Sequence, residues 1–265
     1  MLDLATPPHR EGFFTCLEGQ INSPDSHRRA KAYGLIGWRH DKAANPQRLA
    51  GHIYRKLGTV EDLGAEKGLL NCGRKLFRHA ALPLKKEFLA HPDDTLRHMA
   101  YGAAVEARKA LPGDEIKEIV DVVYAPFGKK KLPDDMEWRN GVTAFFPDAS
   151  FRQKLSLLSC TDRGLRHMAY KELCDGYENL LPGQQAQVHA AVFSALEKYP
   201  AAIFAYAEKL WPYATPDQKV LLFKASGERM KAGSMPVWVS EAVERVHTRV
   251  LEMLQKPSGS DFSPR

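Results

Sequence analysis

The chain has 265 residues, of which 44% are hydrophobic and 26% charged, enough to bury a sizeable core in one large domain or two small ones. Its formal net charge of +6 permits an acidic partner, nucleic acid or protein, without demanding one, because 32 acidic residues are interspersed with 38 basic ones. No apolar run reaches the ~18–20 residues of a membrane span, and the opening MLDLATPPHREG has neither the basic start nor the apolar stretch of a signal peptide.

The four cysteines, Cys16, Cys72, Cys160 and Cys174, form no CxxC and no other metal spacing. Cys16 and Cys160 fall in apolar helical segments, where a reduced thiol behaves as a small hydrophobe. The expectation is a reducing compartment, hence a cytoplasmic protein, with no metal and no cofactor.

In chain order, the first element is an apolar helix with Phe13, Phe14, Leu17 and Ile21 on one face. A turn at Asp25 follows, and then a helix carrying Arg29, Ala32, Tyr33, Leu35 and Ile36. Helices are expected next at Pro46–Leu57 and Glu61–His79. The first pattern then returns. Leu84, Phe88 and Leu89 lead to a turn at Asp93–Asp94 and to the hexapeptide LRHMAY at Leu96–Tyr101. Helices at Asp114–Tyr124 and Asp134–Phe146 are expected after it. The pattern comes a third time with Phe151, Leu155 and Leu158, a turn at Asp162, and LRHMAY again at Leu165–Tyr170, 69 residues after its first occurrence. Helices are expected at Gln184–Lys198, Ala201–Trp211, Pro216–Met230 and Pro236–Gln255. The polar ending Pro257–Arg265 is expected to be disordered.

Each copy reads as helix, tight turn, helix. The turn Asp can accept from the free N–H groups that open the second helix, and apolar residues recur at helical spacing beyond it. A period of 69 is about twice the ~33–47 residues of common helical repeats, so each interval is expected to hold a second pair. That makes seven helical pairs. A stack of such pairs needs no linker, and one domain over residues 1–256 is expected.

Leu96-Arg97-His98-Met99-Ala100 and Leu165-Arg166-His167-Met168-Ala169 resemble HEAT repeats, which turn through an Asp and open their second helix with an apolar residue, Arg and then Ala. Arg28-Arg29-Ala30-Lys31-Ala32 is similar, with Arg28 where an apolar residue is usual. The resemblance implies an all-α fold, a right-handed α-solenoid of about seven antiparallel helical pairs. It also implies a non-catalytic scaffold or adaptor that binds a macromolecular partner, a protein first of all, on a concave face lined by second helices. The alternative is a basic nucleic-acid-binding HEAT-like protein. A minority of such proteins are glycosylases that remove alkylated bases, cradling the base with Trp and Tyr near an Asp.

The resemblance makes Arg29, Arg97 and Arg166 a structural ladder paired with Asp25, Asp93 and Asp162 across neighbouring units; the rival reading is a basic track for phosphates. Candidate partner-binding residues are His98 and His167, which repeat without a structural duty, and Tyr33, Tyr101 and Tyr170, which fill a groove or else form a stacking stripe. Trp138, beside Asp134, Asp135 and Glu137, and Trp38, near Asp41, are the candidate base cradles, and capping explains those acids equally well. Lys129, Lys130 and Lys131 form the densest basic run. No nucleophile, zinc or phosphate-loop motif is present.

Overall fold

The structure, a computed structural model, describes residues 7–128, 135–231 and 237–255. Among these residues every regular element is helical: fourteen α-helices joined by turns and short 3-10 segments, with no strand. The expected all-α class and the expected seven pairs of helices are both present.

Two compact units divide the chain, Met1–Ser150 and Phe151–Arg265. The first holds α1 (Pro7–Gln20), α2 (Ser26–Arg39), α3 (Pro46–Leu57), α4 (Lys67–Leu76), α5 (Leu82–Leu89), α6 (Asp94–Ala107), α7 (Gly113–Tyr124) and α8 (Met136–Phe145). The second holds α9 (Phe151–Ser156), α10 (Arg163–Asp175), α11 (Pro182–Lys198), α12 (Pro200–Ala207), α13 (Pro216–Lys231) and α14 (Val237–Gln255).

The helix starts follow from local chemistry. Asp25, Asn45, Asp93, Asp135 and Asp162 each accept from a backbone N–H in the first turn that follows. Pro46, Pro182 and Pro216 open helices where a missing N–H costs nothing. α4 begins at Lys67, six residues later than the periodicity predicts. The Asp62 side chain accepts from Ala65 N at 3.1 Å and holds a turn there instead. α12 stops at Ala207, and a 3-10 segment containing Pro212 runs on to Tyr213.

In the first unit the second helix of each pair packs on the next: α2 on α4, α4 on α6 and α6 on α8. First helices pack on their own partners and, for α1 on α3 and α5 on α7, on each other. In the second unit α10 packs on α12 and α12 on α14. There the buried Glu208 carboxylate accepts from Arg245 (3.0 Å) and Arg249 (2.8 Å), pinning the end of α12 to α14. Cys72, Cys160 and Cys174 are buried and form no disulfide among the described residues, and burial pushes the Cys72 and Cys174 thiols up to about 12. Cys16 departs from its expectation, lying exposed on α1. Among the described residues no helix is long and apolar enough to cross a membrane.

Candidate functional site

The repeated hexapeptide is almost wholly occupied by packing. Leu96, Ala100, Leu165 and Ala169 are buried. Tyr33, Tyr101 and Tyr170 are each 2% exposed, so the stacking stripe is ruled out in favour of groove filling. Tyr33 lies against Gly68 of α4 and Tyr101 against Gly141 of α8. A Cβ on those glycines would stand 3.2 and 2.9 Å from the rings, closer than carbon atoms pack. Tyr170 stacks on Tyr206 of α12, with ring centroids 5.6 Å apart.

The arginine ladder exists, with different partners from those expected. Arg29 Nη1 donates to Ser23 O (2.9 Å), Arg97 Nη1 to His91 O (3.0 Å) and Arg166 Nη1 to Cys160 O (2.9 Å). Each guanidinium thus satisfies a carbonyl left open where the preceding helix turns. For Arg29 and Arg97 the ion pair with the next pair of helices runs to the residue just before the next second helix. Arg29 grips Glu66 (2.9 and 2.7 Å), and Arg97 Nε stands 3.7 Å from Asp135. Asp25, Asp93 and Asp162 cap their own helices through backbone N–H groups. Asp135 does both, accepting from Trp138 N with one carboxylate oxygen while the other faces Arg97.

His98 and His167 also have local partners. His98 Nε2 lies 3.1 Å from Asp135 Oδ2, near but out of line for a hydrogen bond, which leaves both atoms unsatisfied. The Tyr206 hydroxyl bonds the His167 ring, edge to face at 5.2 Å between centroids. Burial, followed by Lys171 and Arg163, holds the His167 pKa below its usual value. Trp138 is 1% exposed and donates to Val123 O at 3.1 Å, so it cannot cradle a base. Lys129, Lys130 and Lys131, together with the tail after Lys256, lie outside the described residues.

The exposed chemistry of the first unit gathers elsewhere, at the C-terminal ends of its second helices. α2 runs into a 3-10 turn at His40–Lys42, α4 into one at Phe77–His79 and α6 into one at Arg108–Ala110. Between these ends lies a cleft of about 350 Å³. His40, Arg74, Lys75 and Arg78 line it with Glu106, and alanines of α6 form its floor. Arg74 is bound by Glu106 (3.0 and 2.7 Å), and Lys75 Nζ spends one proton on Gly37 O (3.1 Å). Arg78 uses its Nε on His79 (2.9 Å) and has no carboxylate within ion-pair reach among the described residues. Arg39 likewise has none; its guanidinium lies 3.8 Å from the ring of Trp38, which is 64% exposed.

Burial first, and this concentration of charge after it, depress two histidines. His40 is held below 6.5 by burial and then by Arg78 and Lys75, against the opposing pull of Gly37 O and Asp41. His79, with its ring 6.1 Å from that of His40, is held below by burial, Arg78, His40 and Lys85. Cations near helix C-termini are favoured by the helix dipole. That accounts for their sign at each end, and the packing of α2, α4 and α6 converts three such ends into one cationic cleft. The runs Trp38-Arg-His-Asp-Lys42 and Arg74-Lys-Leu-Phe-Arg-His79 were visible in the sequence. Their convergence was not, because it depends on which helix ends become neighbours.

Fold and cleft together define an all-α chain of paired helices with a cationic, tryptophan-flanked edge. No protein-family model matches the sequence, and no curated protein matches it. Among solved structures, an engineered protein (Northeast Structural Genomics Consortium Target OR329) aligns over 89% of this chain and 96% of its own, at 13% identity and a TM-score of 0.35. A likeness that low transfers neither fold nor function.

Proposed function

We propose that this chain is a HEAT-like helical-repeat scaffold that works by binding rather than by catalysis, and that the partner it takes is a nucleic acid. One observation carries the reading: the basic cleft at the ends of α2, α4 and α6, with the exposed Trp38–Arg39 pair in the last turn of α2, just before the cleft residue His40. Phosphates supply the charge that such an edge lacks, and an exposed indole offers a base a face on which to stack. An acidic protein would satisfy the cations equally well but would leave Trp38 without a matching planar group. The solenoid part of the reading is supported by the packing of α2 on α4, α4 on α6 and α6 on α8 within the first unit. The buried thiols, in no disulfide among the described residues, support a reducing compartment, the cytoplasm.

The test is a fluorescence-anisotropy titration with labelled single-stranded and duplex DNA and RNA at several salt concentrations. Log affinity should fall linearly with log salt, by ~0.7 per phosphate contact on a single strand. Trp38→Ala should weaken single-strand binding by ~1–3 kcal/mol, the stacking value. Absence of binding at low salt, with retention of an acidic protein partner instead, would overturn this reading.

A further inference from the structure

Charge within the cleft is not balanced. Arg74, Lys75 and Arg78 bring three fixed cations, and Glu106 brings one carboxylate, already spent on Arg74. A surplus of two positive charges remains with His40 neutral. A phosphodiester inside a strand carries one negative charge and could neutralise only half of that. A phosphomonoester carries close to two near neutral pH.

The donors are equally suggestive. Arg78 keeps both terminal guanidinium nitrogens clear of any carboxylate among the described residues, and a guanidinium fork matches two phosphate oxygens at once. Lys75 retains two ammonium protons after its bond to Gly37 O. His40 Nδ1 stands 3.3 Å from Gly37 O, a contact that fixes Nδ1 as the donor and leaves Nε2 to accept while the ring is neutral. Protonation would turn Nε2 into a further donor. Groups around His40 come from three elements: Arg39, Asp41 and Lys42 on its own turn, Lys75, Arg78 and His79 from α4 and its end, and Glu106 from α6, while Lys85 of α5 acts on His79. The floor, Ala103 and Ala107, presents methyl groups that compete for no hydrogen bond.

We propose that the cleft between the ends of α2, α4 and α6 is the seat of a phosphomonoester, the terminal phosphate of a nucleic-acid strand. The inference rests on the nucleic-acid reading above. Arg78 grips two phosphate oxygens, Lys75 and His40 close on the others, and Trp38 on the same edge receives a base of the strand. Preference for a phosphorylated end then follows from the surplus of two charges.

The experiment compares one short single-stranded oligonucleotide carrying a 5′-phosphate, a 3′-phosphate or only hydroxyl ends, together with a free nucleoside monophosphate and inorganic phosphate, by titration calorimetry on the full chain. One phosphorylated end should bind about 10- to 100-fold tighter than the hydroxyl-ended strand, the range for added hydrogen bonds to a charged group. Arg78→Gln and Lys75→Gln should each erase that difference while hydroxyl-ended binding persists. Arg78→Lys should restore it only in part, and Lys86→Gln, outside the cleft lining and paired with Glu118, should change nothing. Circular dichroism checks that each variant is folded. Equal affinity for phosphorylated and hydroxyl ends refutes the seat and leaves the nucleic-acid reading intact. Binding of the free monophosphate, sensitive to Arg78, with no oligonucleotide binding at all, supports a phosphomonoester seat and refutes the strand. No binding of any probe refutes both.

Discussion

Replacing Gly141 by alanine tests the packing of one second helix on the next. Gly141 lies in α8, and a Cβ there would stand 2.9 Å from Cδ1 of the Tyr101 ring. Carbon atoms prefer ~3.5–4.0 Å. Tyr101 is 2% exposed and enclosed by α6 and α8, so its ring cannot swing away into solvent. Overpacking of this kind costs ~1–3 kcal/mol. Against it stands a helix-propensity gain of ~1 kcal/mol for alanine over glycine. Gly34 supplies the control: it is interior to α2, exposed, and a Cβ there meets nothing within 4 Å. Gly34→Ala collects the propensity gain alone. The propensity contribution cancels between the two variants, so they should differ by the overpacking cost, ~1–3 kcal/mol. A chain of this size shifts by ~2–4 °C per kcal/mol, so Gly34→Ala should melt above wild type and Gly141→Ala several degrees below Gly34→Ala. Thermal unfolding followed by circular dichroism measures both. Equal melting temperatures would show that α6 and α8 do not meet as closely as described.

Two further outcomes follow from single contacts. A double-mutant cycle between Arg29→Ala and Glu66→Ala should show a coupling of ~0.5–3 kcal/mol, and the cycle of Arg29→Ala with Asp25→Ala should show much less. The reverse order would return the ladder to the turn aspartates. Acid stability is the second. His40, His79, His167 and His189 all have folded-state values held below 6.5, chiefly by burial. The unfolded chain therefore binds more protons, so the stability these groups contribute is complete above pH ~6.5 and is lost as pH falls through their folded values. Denaturant midpoints measured from pH 8 to pH 5 should decline below 6.5, less steeply in His40→Gln; a flat profile would contradict the burial of these rings.

Much of the architecture was readable in advance for a physical reason. Helix periodicity, capping aspartates and helix-opening prolines act within a few residues of one another, so sequence spacing carries them directly. Seven pairs of helices and most boundaries followed from that. α4 did not, because the Asp62 turn that delays it competes with a periodic pattern that spacing alone cannot discount. The duplicated LRHMAY exposed little of a site: Tyr101 packs against Gly141 of α8 and Tyr170 against Tyr206 of α12.

Ion-pair partners and clefts belong to a different class of fact. Asp25 and Glu66 both stand just before a second helix, and nothing local says which one Arg29 will hold; the distance across the α2–α4 packing decides it. Trp38, His40, Lys75 and Arg78 are ordinary residues at two helix ends when read along the chain. The sequence by itself determined that this protein is built of paired, capped helices with cations at several of their ends. Tertiary packing alone decided that three of those ends meet, because charge converges only where separate elements become neighbours.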